Sequence, residues 1–278
     1  MSSPLTPGQL VTLAPGIRRL VAPNPGVFTG PGTNTYLIGH KRVAILDPGP
    51  AISAHIEALV AVTRGVEVVA VAVTHTHIDH SPAAAPLAQA LGVPTIGRVA
   101  RFATGQDPSF APDRIALDGF CLSTDAGDLL AIGTPGHASN HVCWHHPQAA
   151  ILYTGDHILG TTSPVIQPPD GDMAEYLRAL DALARLPDLT LAPAHGPLLP
   201  HSHGVIAALI EHRLQRERRV VTSVQENGPI GLDALVLRVY SDVDPALHAI
   251  ARYSLEAHLL KLQADRRVIC VHGQWSAS

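Results

Sequence analysis

Thr74-His75-Thr76-His77-Ile78-Asp79-His80 follows the apolar run Val68–Val73 without a break. Six β-branched or small apolar residues in a row read as a strand buried on both faces, and the polar cluster begins where that strand should end. Side chains two apart on extended backbone point the same way, which puts His75 and His77 on one face. Asp79 and His80 fall in the turn before Ser81-Pro82, where serine is a good helix cap and proline a good first helical residue. Three imidazoles and a carboxylate thus gather at one strand-to-helix corner, which is the composition of a metal site.

Outward from this corner the chain repeats one device. Leu129–Ile132 runs into Thr134-Pro135-Gly136-His137, Ile151–Tyr153 into Thr154-Gly155-Asp156-His157, and Leu189–Ala192 into Pro193-Ala194-His195-Gly196-Pro197. With the first motif, four strands deliver His or Asp from the same kind of end, and loops at one edge of an α/β sheet are where sites assemble. The donors are His75, His77, Asp79, His80, His137, Asp156 and His195, too many for one tetrahedral ion and suitable for two. Imidazole and carboxylate without thiolate suit Zn²⁺, Mn²⁺ or Fe, with Zn²⁺ as the leading expectation. His75, His77 and His137 are assigned to one ion, Asp79, His80 and His195 to the other, and Asp156 to the bridge between them. Two ions about 3.5–4 Å apart share a water whose pKa falls toward about 7. The expected chemistry is therefore hydrolysis by a bridging hydroxide, with Asp79 accepting or relaying the proton.

The remaining elements read as an α/β pattern. Arg18–Ala22, Thr35–Ile38 and Val43–Leu46 are strands, separated by Pro23-Asn24-Pro25-Gly26 and Gly30-Pro31-Gly32 loops, and the third ends at Asp47-Pro48-Gly49. Helices are expected over Ile52–Thr63, over Pro82–Leu91 closed by Gly92, and over Met173–Leu186, with a short strand at Pro94–Ile96 and a loop over Gly97–Arg114. Near Pro200 the composition changes. A long helical pattern over His203–Asn227 carries Arg213, Arg216 and Arg219 on one side, Gly228-Pro229 breaks it, and helices over Leu232–Tyr240 and Pro245–Gln263 precede a strand or wing at Arg266–Val271. This divides the chain into a catalytic domain, residues 1–203, and a small winged-helix-like domain, residues 204–278.

Composition fits a folded globular protein and excludes other classes. With 46% hydrophobic residues but only 4% aromatic, the 278-residue chain must fill its core with Ala, Val, Leu and Ile. Residues 1–203 carry 10 Lys and Arg against 15 Asp and Glu, and residues 204–278 carry 9 against 8, so neither part is a strongly basic polyanion binder. Cys121, Cys143 and Cys270 are few, odd in number and flanked by apolar residues, which reads as reduced, buried thiols in a cytoplasmic protein. Met1–Leu10 lacks the basic and apolar regions of a signal peptide, and no apolar run approaches the ~20 residues needed to span a bilayer.

The four motifs, His75-Thr76-His77-Ile78-Asp79-His80, Pro135-Gly136-His137, Thr154-Gly155-Asp156 and Ala194-His195-Gly196, together resemble those of the metallo-β-lactamase superfamily. The resemblance implies a four-layer αββα sandwich over residues ~10–200, with two mixed sheets face to face and helices outside. The presence of both Asp79 and Asp156 is similar to the glyoxalase II-like and nuclease-like branches and disfavours β-lactam hydrolysis. Asn24-Pro25-Gly26, Gly32-Thr33-Asn34-Thr35-Tyr36-Leu37, Gly155-Asp156-His157-Ile158-Leu159-Gly160 and His212-Arg213-Leu214-Gln215-Arg216-Glu217, followed by the winged-helix-like tail, resemble the β-lactamase-like subgroup that includes an endoribonuclease. His157 stands where that subgroup leads one to expect Cys or Thr.

Several residues have two readings at this stage. Asp47 either orients a metal-bound His or caps its own Pro-Gly turn. Asn34 and Tyr36 either line the entrance or form a turn and a core aromatic, and His141 either faces the pocket or sits on a strand with His145 and His146. His201 and His203 read as solvated. The Arg213, Arg216 and Arg219 row is a solvated face, a contact to the other domain, or a nucleic-acid grip. Three functions follow: hydrolysis of a small ester, thioester or lactone, favoured by the acidic catalytic part; a single-stranded RNA endonuclease, favoured by the tail; and a nucleic-acid-binding regulator with a vestigial site. The tail is also a candidate surface for a homo-oligomer.

Overall fold

In the computed structural model, which describes residues 5–278, the expected strands assemble into two facing sheets and a small third one. The first sheet contains, in spatial and sequential order, β1 (Leu10–Ala14), β2 (Ile17–Val21), β3 (Asn34–Ile38), β4 (Arg42–Leu46), β5 (Glu67–Ala72), β6 (Thr95–Gly97) and β7 (Arg114–Ile115). β1 to β4 pair antiparallel, and from β4 to β7 the pairing is parallel, with α1 (Ser53–Val62) and α2 (Ala84–Leu91) as the crossovers into β5 and β6. The second sheet is built from β8 (Cys121–Thr124), β9 (Gly127–Gly133), β10 (Val142–His146), β11 (Ile151–Gly155) and β12 (Thr190–Pro193), paired in reverse order, with α3 (Met173–Leu183) joining the parallel pair β11 and β12.

The layers follow from the two-residue period of the strands. Tyr36, Ile38, Ala44, Leu46, Ala70 and Ala72 point to the core between the sheets, where they meet Leu129, Ala131, Val142, Trp144, Ile151 and Tyr153. The alternate residues, Leu37, Val43, Ile45, Val71 and Val73, face outward under Leu59 of α1 and Ala84 and Leu87 of α2. Across the molecule, Cys143, Leu152 and Leu191 are covered by Met173, Tyr176 and Leu180 of α3. Both faces of the central strands are thus buried, which is why these strands read as continuous apolar runs, and the result is the expected αββα sandwich.

Beyond it, α4 (Ser202–Asn227) begins against the sandwich, where Ile206 joins the α3 cluster, and ends in a separate core. There Val220 and Val224 pack on Leu235, Val236 and Val239 of α5 (Leu232–Val239), Leu255, Leu259 and Leu262 of α6 (His248–Ala264), and Trp275. The third sheet pairs β13 (Ile230–Gly231), β15 (Gln274–Ala277) and β14 (Val268–Val271), with His272 and Gly273 at positive φ in the tight wing turn. Cys121 departs from the buried-thiol expectation: it is exposed, because edge strand β8 turns Leu122 inward and its neighbours outward. The expectation about Met1–Leu10 falls partly on residues 1–4, which lie outside the described residues. Among the described residues no helix is long and apolar enough to cross a membrane.

Candidate metal centre

β5, β9, β11 and β12 end at the same edge of the sandwich, and the turns after them bring all seven predicted donors together. Donor atoms lie within 4.8 Å of one another in three overlapping groups: His75, His77 and His137; His75, His80 and Asp156; and Asp79, His80 and His195. Asp156 spans the cluster, with Oδ2 3.8 Å from His137 Nε2 and Oδ1 3.5 Å from His80 Nε2 and 3.3 Å from His195 Nε2. Asp79 Oδ2 is 3.1 Å from His195 Nε2. Two glycines permit this approach. Gly136 has φ +137° and a Cβ there would lie 2.3 Å from Tyr176 Cα; Gly155 has φ +48° and a Cβ would lie 2.5 Å from Thr74 Oγ1.

Four of the five imidazoles are tied from outside by one nitrogen and present the other to the centre. His137 Nδ1 donates to Val165 O at 2.8 Å, His195 Nδ1 lies 3.3 Å from Gly32 O, and His80 Nδ1 lies 3.3 Å from Asp47 Oδ2. Asp47, itself at positive φ, accepts from Thr74 N–H at 2.7 Å and Thr74 Oγ1–H at 2.9 Å, so the Thr74 hydroxyl is left to accept from His75 Nδ1 at 3.0 Å. His75 Nε2 and His137 Nε2, both without protons in this scheme, then stand 2.9 and 3.0 Å from His77 Nδ1. One proton on His77 cannot bridge both contacts well, so at least one pair of lone pairs faces inward without a hydrogen bond. His80 Nε2, His195 Nε2 and Asp156 Oδ1 are likewise buried without a hydrogen-bond partner. Buried polar atoms are normally paired, and a donor set of unpartnered nitrogens and carboxylate oxygens fits divalent cations.

Electrostatics divides the cluster. Burial pushes His75 well below the ordinary histidine value, and it pushes His77 down to about 3, helped by His137, so these rings are neutral. His137 is lowered by burial as well. Burial also opposes charge on His80 and His195, but Asp79 and Asp156 outweigh it, raising His80 well above its ordinary value and His195 to about 10. Both carboxyls, despite burial, are held well below the carboxylate range, Asp79 chiefly by His80 and Asp156 chiefly by His195. The negative potential that draws protons to this half would draw a cation equally.

A family model of the metallo-beta-lactamase superfamily matches residues 28–195, which contain every one of these donors. The chain belongs to that superfamily. A second model, of the beta-lactamase associated winged helix domain, matches residues 232–275, so α5, α6 and the wing are of that type. A protein of Aspergillus chevalieri named atrochrysone carboxyl ACP thioesterase is 31% identical over 95% of this chain and 86% of its own length. The beta-lactamase-like protein 2 homolog of Caenorhabditis elegans is 27% identical over 91% of this chain and 86% of its own. Among solved structures, a beta-lactamase domain protein from Burkholderia ambifaria superposes with a TM-score of 0.83 at 20% identity, covering 98% of this chain and 94% of its own. The chain is accordingly a metallo-β-lactamase-superfamily hydrolase whose His/Asp cluster suits divalent metal ions.

In this superfamily member a cavity of about 390 Å³ opens from His137 and Asp156 and runs between the sandwich and the tail. Val27, Phe28 and Leu159 line one side, and Val243, Leu247, Ile250 and Ala251 the other. The secondary residues fall as follows. Asp47 lies against His80 and Thr74, as above. Asn34 is fully buried and its amide donates to Pro193 O and Gly196 O, both at 2.9 Å, so it holds the turn that carries His195 and does not line the entrance. Tyr36 is in the core, with its hydroxyl on Pro193 O at 2.7 Å. His141 receives the Asp156 N–H on Nε2 at 3.2 Å and contacts Thr134 Oγ1 through Nδ1 at 2.8 Å, so it braces the Asp156 turn from behind. His157 is buried away from the donors against Tyr176, ring centroids 4.7 Å apart, and is pushed down to about 3 by burial. His146 lies on β10, bonded to Ala126 O at 3.0 Å, and His201 and His203 are exposed.

The solvated-face reading of the arginine row is overturned for two of its members. Arg213 and Arg216 are 4% and 8% exposed, stacked over Tyr176 and Tyr240 at 5.3 and 4.3 Å. Arg216 pairs with Asp242 Oδ1 at 2.8 Å, and Arg219, half-exposed, pairs with Oδ2 of the same carboxylate at 2.7 Å. Sequence reasoning also missed Thr74, which lies inside the motif and fixes His75, and Val165, whose carbonyl no sequence pattern advertises.

Proposed function

We propose that the chain hydrolyses small acyl thioesters or esters, with the acyl group lying in the cavity between sandwich and tail. The observation that carries this reading is the cavity itself: a largely apolar slot, with Arg213 and Arg216 in its wall, that reaches His137 and Asp156. An apolar acyl chain gains about 0.8 kcal/mol per buried CH₂ there, and its carbonyl is brought to the donor cluster. The similarity to a protein named as an ACP thioesterase supports the same choice within the broader ester, thioester and lactone class.

In this proposal His75, His77 and His137 hold one divalent ion, Asp79, His80 and His195 a second, and Asp156 both, with Zn²⁺ as the first candidate and Mn²⁺ or Fe next. Such ions, when bound, supply Lewis-acid polarisation of the acyl carbonyl and acidify a water molecule. The chain's own part is positional. The cavity walls orient the acyl group and exclude bulk water, Asp47, His141 and Asn34 keep His80, Asp156 and His195 in place, and Asp79 relays outward the proton released when water adds to the acyl carbon. Asp79 suits that task because its side chain is 23% exposed, the more accessible of the two carboxylates. The division at residue 203 belongs to the same proposal: the tail serves as the far wall of the pocket.

A hydrolysis panel tests it: acyl-CoA, acyl-N-acetylcysteamine, S-lactoylglutathione, homoserine lactones, bis-p-nitrophenyl phosphate and a short single-stranded RNA, each with Zn²⁺ and with Mn²⁺. The expected result is fastest turnover of the acyl thioesters, rising with acyl length until the cavity is full and lost in Asp156→Ala. Turnover of RNA or the phosphodiester with none of the thioesters would overturn it.

A further inference from the structure

His137 takes its orientation from a segment that is anchored to the sandwich by the buried side chain of Ile166 but by no backbone–backbone hydrogen bond among the described residues. Its Nδ1 donates to Val165 O at 2.8 Å, which fixes the proton on that nitrogen and leaves Nε2 facing His77 Nδ1 at 3.0 Å. Residues 163–166 lie in the connection between β11 and α3, outside any strand or helix, and none of them makes a backbone–backbone hydrogen bond among the described residues. Three polar contacts from the tail's helices grip them instead. His212 Nδ1 is 3.3 Å from Ser163 Oγ, Arg213 donates through Nη2 to Pro164 O, and Ser254 Oγ of α6 accepts from Ile166 N–H at 3.3 Å. The peptide unit that contains the Val165 carbonyl is therefore held by α6, and the one before it by α4.

Arg213 is well placed for that duty. It is 4% exposed, its guanidinium lies 5.3 Å over the Tyr176 ring, and Tyr176 is pinned in turn by its hydroxyl bond to His157 O at 2.9 Å. It forms no ion pair among the described residues, so its visible partners are a carbonyl and a ring. A buried cation used in this way acts through geometry, since a planar fork stacked on an aromatic ring fixes the direction of its donors.

We propose that Arg213, assisted by Ser254, is a positioning residue for His137: the winged-helix tail sets the tautomer and direction of a metal ligand that the sandwich supplies. The inference rests on the reading of His137 as a metal ligand. It gives the tail a part in the metal centre that requires no nucleic acid.

The test uses full-length, metal-free protein and two readouts independent of turnover: the ring-nitrogen NMR signals of His137, and Co²⁺ titration followed by absorption. In wild type, His137 should show a single Nδ1–H tautomer. Arg213→Met should mix the tautomers, weaken one Co²⁺ by up to about 10-fold and leave the other unchanged, the lower end of the range for losing a direct outer partner, since Arg213 acts on His137 only through the 164–166 backbone. Arg213→Lys should fall between, Ser254→Ala should shift the same signals by less, and Arg218→Ala, an exposed change on the same helix, should shift none. If Arg213→Met does not fold, Ser254→Ala carries the comparison alone. Wild-type tautomer and affinities in both Arg213→Met and Ser254→Ala overturn the inference. His137→Ala separates the two levels: if it keeps both ions the ligand assignment fails, whereas if it loses one while the Arg213 and Ser254 variants lose none, only the present inference fails.

Discussion

Asp47→Asn isolates one charge at the back of the metal centre. Asp47 is 2% exposed at φ +50°, a conformation that asparagine tolerates as well as aspartate, so the substitution changes neither volume nor backbone preference. The Asp47 carboxylate accepts from Thr74 N–H at 2.7 Å and Thr74 Oγ1–H at 2.9 Å and faces His80 Nδ1 at 3.3 Å. An amide can keep its oxygen on the backbone N–H, and its NH₂ then faces Thr74 Oγ1 and His80 Nδ1. A neutral His80, the form that binds a cation, must turn Nδ1 into an acceptor, which moves its proton to Nε2, the atom 3.5 Å from both Asp79 and Asp156. A protonated Nε2 cannot bind a cation, so the wrong tautomer is stabilised at a ligand position. The expected cost is about 10–100-fold in affinity for one ion, about 1.4–2.7 kcal/mol. Loss of charge-assisted bonds to Thr74 should also lower metal-free stability by about 1–3 kcal/mol. Co²⁺ or Zn²⁺ titration with a competing chelator, alongside urea unfolding of the metal-free protein, measures both. Two ions bound with wild-type affinity in Asp47→Asn would refute the reasoning.

Exhaustive chelation should lower the melting temperature, because an ion held only by the folded state adds about 2.7 kcal/mol at a free concentration of 100 Kd; identical melting before and after, with no metal by elemental analysis, would contradict a metal centre. Asn34→Ala leaves the Pro193 and Gly196 carbonyls without their amide donor and should cost about 2–3 kcal/mol, with a weakened ion at His195, read by denaturation and metal titration. Glu217 is held below the usual glutamate range because, although burial works against its ionisation, His258 and Lys261 at 3.6 and 3.0 Å outweigh it. Its charged form therefore stabilises the tail above the ordinary value of about 4.3, and that contribution is lost as pH falls below it. Glu217→Gln should be less stable at pH 7 and should lack part of the acid limb of the melting profile; a profile parallel to wild type would count against the pairing.

What could be read in advance, and what could not, depends on the range of the interactions. The β5 corner was legible because a strand buried on both faces and a ligand cluster have opposite polarity, and the change falls between Val73 and Thr74. The other three donor turns were legible for the same reason, and their meeting follows from strand direction. Asp47 was ambiguous because its distant partner, His80, is 33 positions away, while the turn it also serves is local. Asn34 stayed open between an entrance and a turn reading because nothing near it in sequence reveals that Pro193 and Gly196, about 160 positions on, accept its amide. Cys121 failed from the opposite cause: its apolar neighbours suggested burial, and only the edge position of β8 exposes it.

The arginine row shows how a helix face that spacing leaves open between solvent and an inter-domain contact becomes interior. Spacing alone places Arg213, Arg216 and Arg219 on one side of α4, and charged residues on one side usually face water. Here that side meets two tyrosines from different parts of the chain, Tyr176 of α3 and Tyr240 after α5, and each ring takes one guanidinium. Burying these cations is tolerable because Arg216 has Asp242 and Arg213 has the Pro164 carbonyl and a π-face. Both residues line the cavity that reaches His137 and Asp156. A tail that turns two of its cations inward onto the pocket wall leaves less positive charge on its surface, and residues 204–278 as a whole are nearly neutral, with 9 basic against 8 acidic residues. Phosphate binding needs accessible positive charge, whereas a pocket wall needs fixed shape and apolar lining. Val243, Leu247, Ile250 and Ala251 of the tail supply the second, which supports the proposed hydrolysis of small acyl compounds.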